Sequence, residues 1–280
     1  MIVRLTGAFL RAFLIALAIL TPSLLLPDVG SDAAQVVVLV ALAAGLFTFM
    51  EYASQFPSIL EFRFAPPVNR LRYFTMFGMV LMLTVYLSGP ALESPIATLL
   101  MRLATLMAHA LDFPYSPVRL VILSLPADTP TTVIDMVRDA AGIAYVVAAI
   151  GLIVFSVIVR VYGWPVRYGA FNVWINLPLF DPTGGGDVIS RLKRDSIVNI
   201  VLGFLLPFLM PAVVKLASSV IDVSGIGNPH TLIWVMAAWA FLPANLIIRG
   251  VALARIAEII EEKRRRAYAE ARSEDAMQAA

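Results

Sequence analysis

The 280 residues are 60% hydrophobic and only 14% charged, whereas soluble domains are about 45–50% apolar and about 25% charged. A soluble fold of this length cannot bury so much apolar surface, so lipid must be the solvent for much of the chain. The absence of cysteine excludes disulfides, thiolate metal ligands and cysteine nucleophiles, and a net charge of +2 is too small to indicate nucleic acid as a partner.

Six apolar stretches have the length, about 20 residues, that a helix needs to cross the hydrocarbon core. They predict an all-α, polytopic membrane helix bundle with spans at about 8–26, 33–50, 73–92, 140–161, 197–221 and 231–251. Residues 1–251 are expected to form a single transmembrane domain, and residues 252–280 a basic helical tail in the cytoplasm. Cleavage of the first span as a signal peptide is an alternative that would leave five spans. The immediate start of the second span argues against it.

The positions of lysine and arginine predict the orientation, because cytoplasmic loops are enriched in both. With the amino terminus inside, 17 of the 21 cations lie on the inner side. The four on the outer side are Arg102, Arg119, Arg138 and Lys215. The excess of arginine over lysine, together with abundant alanine, indicates a GC-rich bacterial genome. We therefore predict a multi-pass protein of the cell inner membrane with both termini in the cytoplasm.

Two segments between spans are predicted to lie at the membrane surface. In residues 51–72, aromatic side chains alternate with Glu61 and Arg63, which is typical of an interfacial segment. In residues 93–139, the apolar run 95–111 contains Arg102. That charge would cost at least ~2.5–3.5 kcal/mol at mid-membrane, so we predict outer interfacial helices at 95–111 and 118–125 instead of a crossing.

The helix that leads into span four is expected to carry Asp135, Arg138 and Asp139 on one face, because these residues are spaced by three and four positions. Span five contains Pro207 and Pro211 and is therefore predicted to be bent or broken.

The inner loop 162–196 is rich in tryptophan, proline and asparagine, which predicts a fixed structure. Candidates for contact with a protein partner or lipid headgroup are Asn172, Trp174, Asn176 and Asp181. The alternative is that tryptophans anchor the loop and asparagines cap its turns. A glycine triplet, 184–186, precedes Arg191, Lys193 and Arg194, but it lacks the spacing of a phosphate-binding loop. Asp187 or Ser190 is expected to cap the helix that follows.

Polar features in the last two spans and the tail supply further candidates. Pro207, Pro211 and Asn245 are candidates for a hinge or pore, although prolines are common in membrane helices. The cluster Lys263-Arg264-Arg265-Arg266 is a candidate for anionic lipid, at ~1 kcal/mol per charge. Its alternatives are a solvated helix face and a surface for a partner helix.

These patterns favour three functional hypotheses, in a definite order. The first is a non-catalytic component that assembles with or regulates a larger membrane complex, in contact with lipid and protein partners. The second is a channel or transporter for a small solute, and the third a membrane-embedded lipid-modifying enzyme. No catalytic triad or carboxylate pair stands out. The two histidines, His109 and His230, lack further ligands at metal spacing, so no cofactor or metal is expected.

Overall fold

The computed structural model describes residues 2–27, 29–56, 58–92, 94–165, 171–181, 185–217 and 224–278, and is helical throughout, apart from turns and connections. Its α-helices are α1 (Ile2–Leu25), α2 (Ser31–Ala53), α3 (Val68–Leu92), α4 (Pro95–Leu111), α5 (Pro117–Ser124), α6 (Thr131–Arg160), α7 (Val173–Asn176), α8 (Val188–Ala217) and α9 (Pro229–Gln278). A short 3₁₀ turn, Ser224–Gly227, precedes α9. Gly184 and the predicted end of the fifth span at 218–221 lie outside the described residues.

Six of these helices, α1, α2, α3, α6, α8 and α9, are long and apolar enough to cross a membrane. They coincide with the six predicted spans, so the predicted fold class is confirmed. The two shorter helices between α3 and α6 also match prediction, since α4 begins at Pro95 and α5 at Pro117. The last helix continues far beyond its apolar part, to Gln278.

Helix α9 is the centre of the bundle, where it packs against α8, α6 and α3. Helices α1 and α2 form a peripheral hairpin that joins the rest chiefly through α1 and α3, while α4 packs on α6 and α5 lies against α6 and α8. The outward faces of α2 and α8 are apolar and exposed, as lipid-facing surfaces are. The bundle therefore buries its inner faces against α9 and leaves an apolar exterior.

Small residues let α8 and α9 approach until their backbones almost touch. A Cβ atom on Gly203 would lie 2.6 Å from the carbonyl oxygen of Pro243, and one on Gly250 would lie 2.8 Å from that of Ser196. The Ser196 hydroxyl donates to the carbonyl oxygen of Gly250 at 2.7 Å. Close packing of this kind drives helix association in lipid, where apolar burial alone gives little advantage.

The two prolines of α8 do not break the helix, which is continuous from Val188 to Ala217. Because Pro211 has no N–H, the carbonyl of Pro207 loses its partner within the helix. The indole Nε1 of Trp239 donates to that oxygen at 3.1 Å. A neighbouring helix thus restores the hydrogen bond that proline removes, as the bilayer requires.

The predicted polar face at the start of α6 holds only in part. Asp135 and Arg138 form an ion pair, and Arg138 Nε also donates to Asp112 Oδ2 at 3.0 Å. Asp139 is instead buried, and its Oδ2 accepts hydrogen bonds from the Tyr86 hydroxyl at 3.0 Å and the Thr105 hydroxyl at 2.6 Å. Helices α3 and α4 cover α6 at Asp139 but leave Asp135, one turn earlier, exposed.

The close approach of α8 and α9 gives a stability prediction. We expect Gly250→Ala to destabilise the bundle by about 1–3 kcal/mol, because its methyl group would overlap the backbone of Ser196. A matched control is Gly78→Ala in α3, where a Cβ atom meets nothing within 4 Å. The control should be neutral, or stabilising by about 0.5–1 kcal/mol. Unfolding in mixed micelles, followed by tryptophan fluorescence, measures both changes, and equal losses in the two variants would contradict this account of the packing.

Candidate functional site

One end of the bundle gathers most of the charged and loop residues, and we call it the basic end. It consists of the start of α1, the end of α2, residues 54–67, the start of α3, the end of α6, residues 171–181, the start of α8 and α9 from Arg249 onward. These segments are far apart in sequence, and side-chain contacts hold them together.

A two-pronged ion pair between Glu61 and Arg249 fixes the centre of the basic end. Arg249 donates from Nε to Oε2 at 2.7 Å and from Nη2 to Oε1 at 2.8 Å. The Glu61 side chain is only 8% exposed and that of Arg249 is 25% exposed. Paired geometry of this kind is the strong form of a charged hydrogen bond. It ties the loop after α2 to the point where α9 leaves the apolar core.

Trp164, just after α6, is the aromatic centre of the same end. It is fully buried, and its rings stand edge-on to Phe62, Phe155 and Phe171 at centroid distances of 5.9–6.2 Å. Its Nε1 donates to the carbonyl oxygen of Pro66 at 3.2 Å. This tryptophan therefore joins the two loops inside the protein instead of anchoring one of them in the headgroups.

Asn176, one of the predicted contact residues, also joins these loops. Its backbone oxygen accepts from Phe62 N at 2.7 Å, and its Oδ1 accepts from Phe64 N at 2.9 Å. Its Nδ2 donates to the carbonyl oxygen of Asn172 at 3.0 Å, and the residue is 3% exposed. The amide is thus occupied within the fold.

The other three predicted contact residues of this loop differ from Asn176. Asn172 and Asp181 are exposed, and the side chain of Trp174 lies outside the described residues. Of the predicted contact residues whose side chains the structure describes, Asn172 and Asp181 are therefore the two that a partner or headgroup could reach.

The end of α2 is closed by a reciprocal arrangement of Glu51 and Arg63. The carboxylate of Glu51 accepts from the backbone amides of Ser58 at 3.2 Å and Leu60 at 3.3 Å. The guanidinium of Arg63 donates to the carbonyl oxygen of Glu51, and to that of Ser54 at 2.6 Å. Arg63 thereby satisfies carbonyls that the helix end leaves free. Residues 54–67 are held by these bonds.

A groove of about 350 Å³ separates the start of α8 from the exposed part of α9. Two exposed ion pairs cross it, Arg264 Nη1 to Asp187 Oδ1 at 2.9 Å and Lys193 Nζ to Glu261 Oε2 at 2.7 Å. Asp187 also caps α8 as predicted, since its Oδ2 accepts from the backbone N–H of Ser190 at 3.3 Å. The hydrogen bond from Arg264 lowers the pKa of Asp187.

The predicted lipid-binding cluster in the tail is divided by this groove. Arg264 is engaged by Asp187, whereas Lys263, Arg265 and Arg266 are exposed. Arg265 also lines the groove, together with Tyr268. Three of the four cations therefore face outward on the part of α9 that lies beyond the apolar core.

The predicted hinge residues lie elsewhere, in the seam between α8 and α9. Pro207 and Pro211 are buried there, and Asn199 bonds within its own helix, from Nδ2 to the carbonyl oxygen of Asp195 at 2.7 Å. The Oδ1 atom of Asn245 is buried and has no hydrogen-bond partner among the residues that the structure describes. The basic end and this seam are thus separate features.

Sequence reasoning did not single out Glu61, Arg249, Trp164 or Asp139 as structural or functional centres. Only Glu61 carried a readable signal, as an acid two residues before Arg63 in an aromatic segment. At the basic end, charged side chains mainly hold the protein's own loops, and the arrangement is a rigid surface suited to recognition.

The buried ion pair gives a second prediction. Glu61→Gln keeps the side-chain shape but leaves Arg249 unpaired, so we expect a loss of about 3–5 kcal/mol in the free energy of unfolding, toward the lower value because Arg249 is partly exposed. Glu261→Gln is the matched control, since its pair with Lys193 is exposed and should contribute little. Denaturation in mixed micelles measures both variants. Similar losses of unfolding free energy in the two variants would contradict the structural importance of the Glu61–Arg249 pair.

The groove gives a prediction about pH. Since Arg264 lowers the pKa of Asp187, the pair stabilises the structure above the ordinary aspartate pKa of about 3.9 and is lost as pH falls through the lowered value. The chain has no cysteine, so spin labels at Arg194→Cys and Glu270→Cys report only the distance between α8 and the tail. The distance distribution should be narrow near pH 7 and should broaden once pH falls below the lowered pKa of Asp187. In Asp187→Asn it should already be broader near neutral pH, and an unchanged width on acidification would contradict the role of the pair.

Comparison with known proteins supplies no guide to the function of the basic end. No family model, no curated protein and no solved structure matches the chain. Its function must therefore be argued from the geometry of the helices and of the basic end.

Proposed function

We propose that this chain is a non-catalytic component of a bacterial inner membrane that assembles with or regulates a larger membrane complex. The proposal places the basic end and both termini in the cytoplasm, with residues 1–251 as the membrane domain and residues 252–280 as a helical tail. The observation that carries it is the combination of a locked basic end with a long helix that projects from it.

The locked basic end supports a binding role more than a catalytic one. The carboxylate of Glu61 is taken up by Arg249, and that of Glu51 by backbone amides and Ser58. Groups held in this way have no free atoms for acid–base work on a substrate. They do give the loops the rigidity that a recognition surface needs, because a fixed surface loses less entropy on binding.

The projecting helix supplies a means of assembly. From Lys263 to Gln278, beyond its buried residues, α9 is about 24 Å long at about 1.5 Å per residue. The exposed residues from Lys263 to Arg272 include both basic and acidic side chains. A helix that is polar all round and extends from its bundle is typical of a connection between bodies.

Cation placement supports the orientation. Arg4, Arg11, Arg63, Arg249 and Arg264 all lie at the basic end, in segments that the charge asymmetry assigns to the inner side. The side chains at the opposite end include Arg138, Arg119 and Lys215. The first two are paired with Asp112, and Lys215 donates to the carbonyl oxygen of Leu125.

The seam between α8 and α9 favours a second candidate, a channel or transporter for a small solute. The side-chain oxygen of Asn245 is buried and has no partner within the described ranges of the chain, and it lies in a span that packs against α8, which carries the two prolines. Such an oxygen can accept a hydrogen bond from a solute, whereas α8 itself remains unbroken.

Purification in a gentle detergent tests the assembly proposal. We expect the full chain to retain a partner in fixed stoichiometry, and a chain that ends at Glu262 to lose it, because the exposed part of α9 is then missing. A chain that ends at Arg272 is the matched control and should retain the partner. Mass photometry and peptide mass spectrometry measure stoichiometry and identity.

A full chain that purifies as a single species would contradict the assembly proposal. If that species also carried solute into liposomes, and Asn245→Ala abolished the flux, the second candidate would replace it.

A further inference from the structure

Two arginines lie over one tyrosine at the edge of the basic end, and two more lie near them. The guanidinium carbon of Arg11 lies 4.6 Å from the ring centroid of Tyr52, and that of Arg63 lies 5.9 Å from the same ring. Arg72 is close enough for its charge to act on Tyr52, and Arg4 close enough to act on Arg63. We call Arg4, Arg11, Arg63 and Arg72 around Tyr52 the Tyr52 cluster.

None of these four guanidinium groups forms an ion pair in the part of the chain that the structure describes. The two nearest carboxylates are already used. Glu51 accepts from Ser58 and the amides that follow it, and both oxygens of Glu61 accept from Arg249. Glu51 lies close enough for its charge to act on Arg63. Glu61 lies close enough to act on Arg72, but Glu61 is shared with Arg249. Four guanidinium groups therefore face fewer carboxylates than they could pair with, and an anion from outside the chain would relieve the repulsion between them.

The cluster also has hydrogen-bond donors to spare. A guanidinium carries five N–H donors. Arg11 uses Nη1 on the carbonyl oxygen of Gly7, and Arg72 uses Nη1 on Asn69 Oδ1 at 3.2 Å. Arg72 Nε is enclosed and has no partner among the residues that the structure places. Arg4 and Arg11 are exposed. Arginine forks match phosphate oxygens in shape and charge, so phosphate is the group that suits these donors.

The surroundings of the cluster are apolar on the lipid-facing side. Phe9 and Phe13 of α1 are 67% and 55% exposed, and Phe47 and Met50 of α2 are 51% and 62% exposed. They lie within about two helical turns of Arg11 and Tyr52 in sequence. A ligand with a phosphate and acyl chains satisfies both the guanidinium groups and these side chains.

We propose that the Tyr52 cluster binds the phosphate group of an anionic phospholipid. The phosphate is held by Arg4 and Arg11 at the surface, over the charges of Arg63 and Arg72, and the acyl chains lie along α1 and α2. The site is distinct from the cations of the tail, and it does not depend on whether the chain has a protein partner.

Thermal unfolding of the purified full chain in neutral detergent tests the site, with its four tryptophans as the signal. A lipid that binds only the folded protein raises the melting temperature. Phosphatidylglycerol should raise it by several degrees, and phosphatidylcholine should raise it much less. In Arg4→Gln/Arg11→Gln the shift from phosphatidylglycerol should fall by at least half. Both residues are exposed, so this variant should fold.

Arg265→Gln/Arg266→Gln is the matched control, since it removes two exposed arginines from the tail at the same end. Its shift should equal that of the unmodified chain. Loss of the shift in this control and not in Arg4→Gln/Arg11→Gln would overturn the proposal in favour of the tail. An equal shift in all three proteins would also overturn it. Inorganic phosphate should give no shift, and a shift equal to that of the lipid would overturn the assignment of the ligand as a lipid.

Discussion

A bilayer offers no hydrogen-bond partners to polar groups, and the rest of this structure depends on that constraint. Within the spans, two backbone carbonyls accept hydrogen bonds from a neighbouring helix, that of Pro207 from Trp239 and that of Gly250 from Ser196. Such contacts require the helices to lie very close, which explains the glycines where α8 and α9 meet. Charge is correspondingly concentrated at the ends of the bundle.

At the basic end, charged groups fall into two classes that have different consequences. Glu61 and Arg249 saturate each other and join distant segments, so they determine architecture. The arginines around Tyr52 have no carboxylate partner in the described chain, so their charge is available to a ligand from outside. Because the Glu61–Arg249 pair ties the loop after α2 to α9, the first class also holds the second in place. A rigid basic end with an excess of positive charge on one face suits an assembly component that anionic lipid also helps to position.

Hydropathy and arginine placement predicted the six spans, the two short helices α4 and α5, and the cap at Asp187, because each depends on local composition or spacing. The contacts of the basic end were not predictable in the same way. Glu61 and Arg249 are separated by most of the chain, and no pattern in a single sequence connects them. Asn176 was correctly placed on a fixed loop, but its amide turned out to bond to the other loop of the basic end.

Two further differences come from neighbouring helices that sequence periodicity does not represent. The prolines of α8 predicted a bend or break, and the helix is not broken, because Trp239 of α9 compensates for the lost hydrogen bond. Asp139 was expected on a polar face, but α3 and α4 cover it and supply hydroxyl donors. In both cases the sequence rule described the residue itself correctly, but it contained no information about which helix packs against that residue.

Paired reporter fusions test the proposed placement of the basic end in the cytoplasm. Green fluorescent protein stays dark when the general secretory route exports it, so a fluorescent fusion indicates a cytoplasmic position. Alkaline phosphatase is active only on the outer side. Fusions after Ala280 should be fluorescent and lack phosphatase activity, while fusions after Asp128, at the opposite end, should show the reverse. Active phosphatase after Ala280, with a dark fluorescent fusion, would contradict the orientation and the functional account that rests on it.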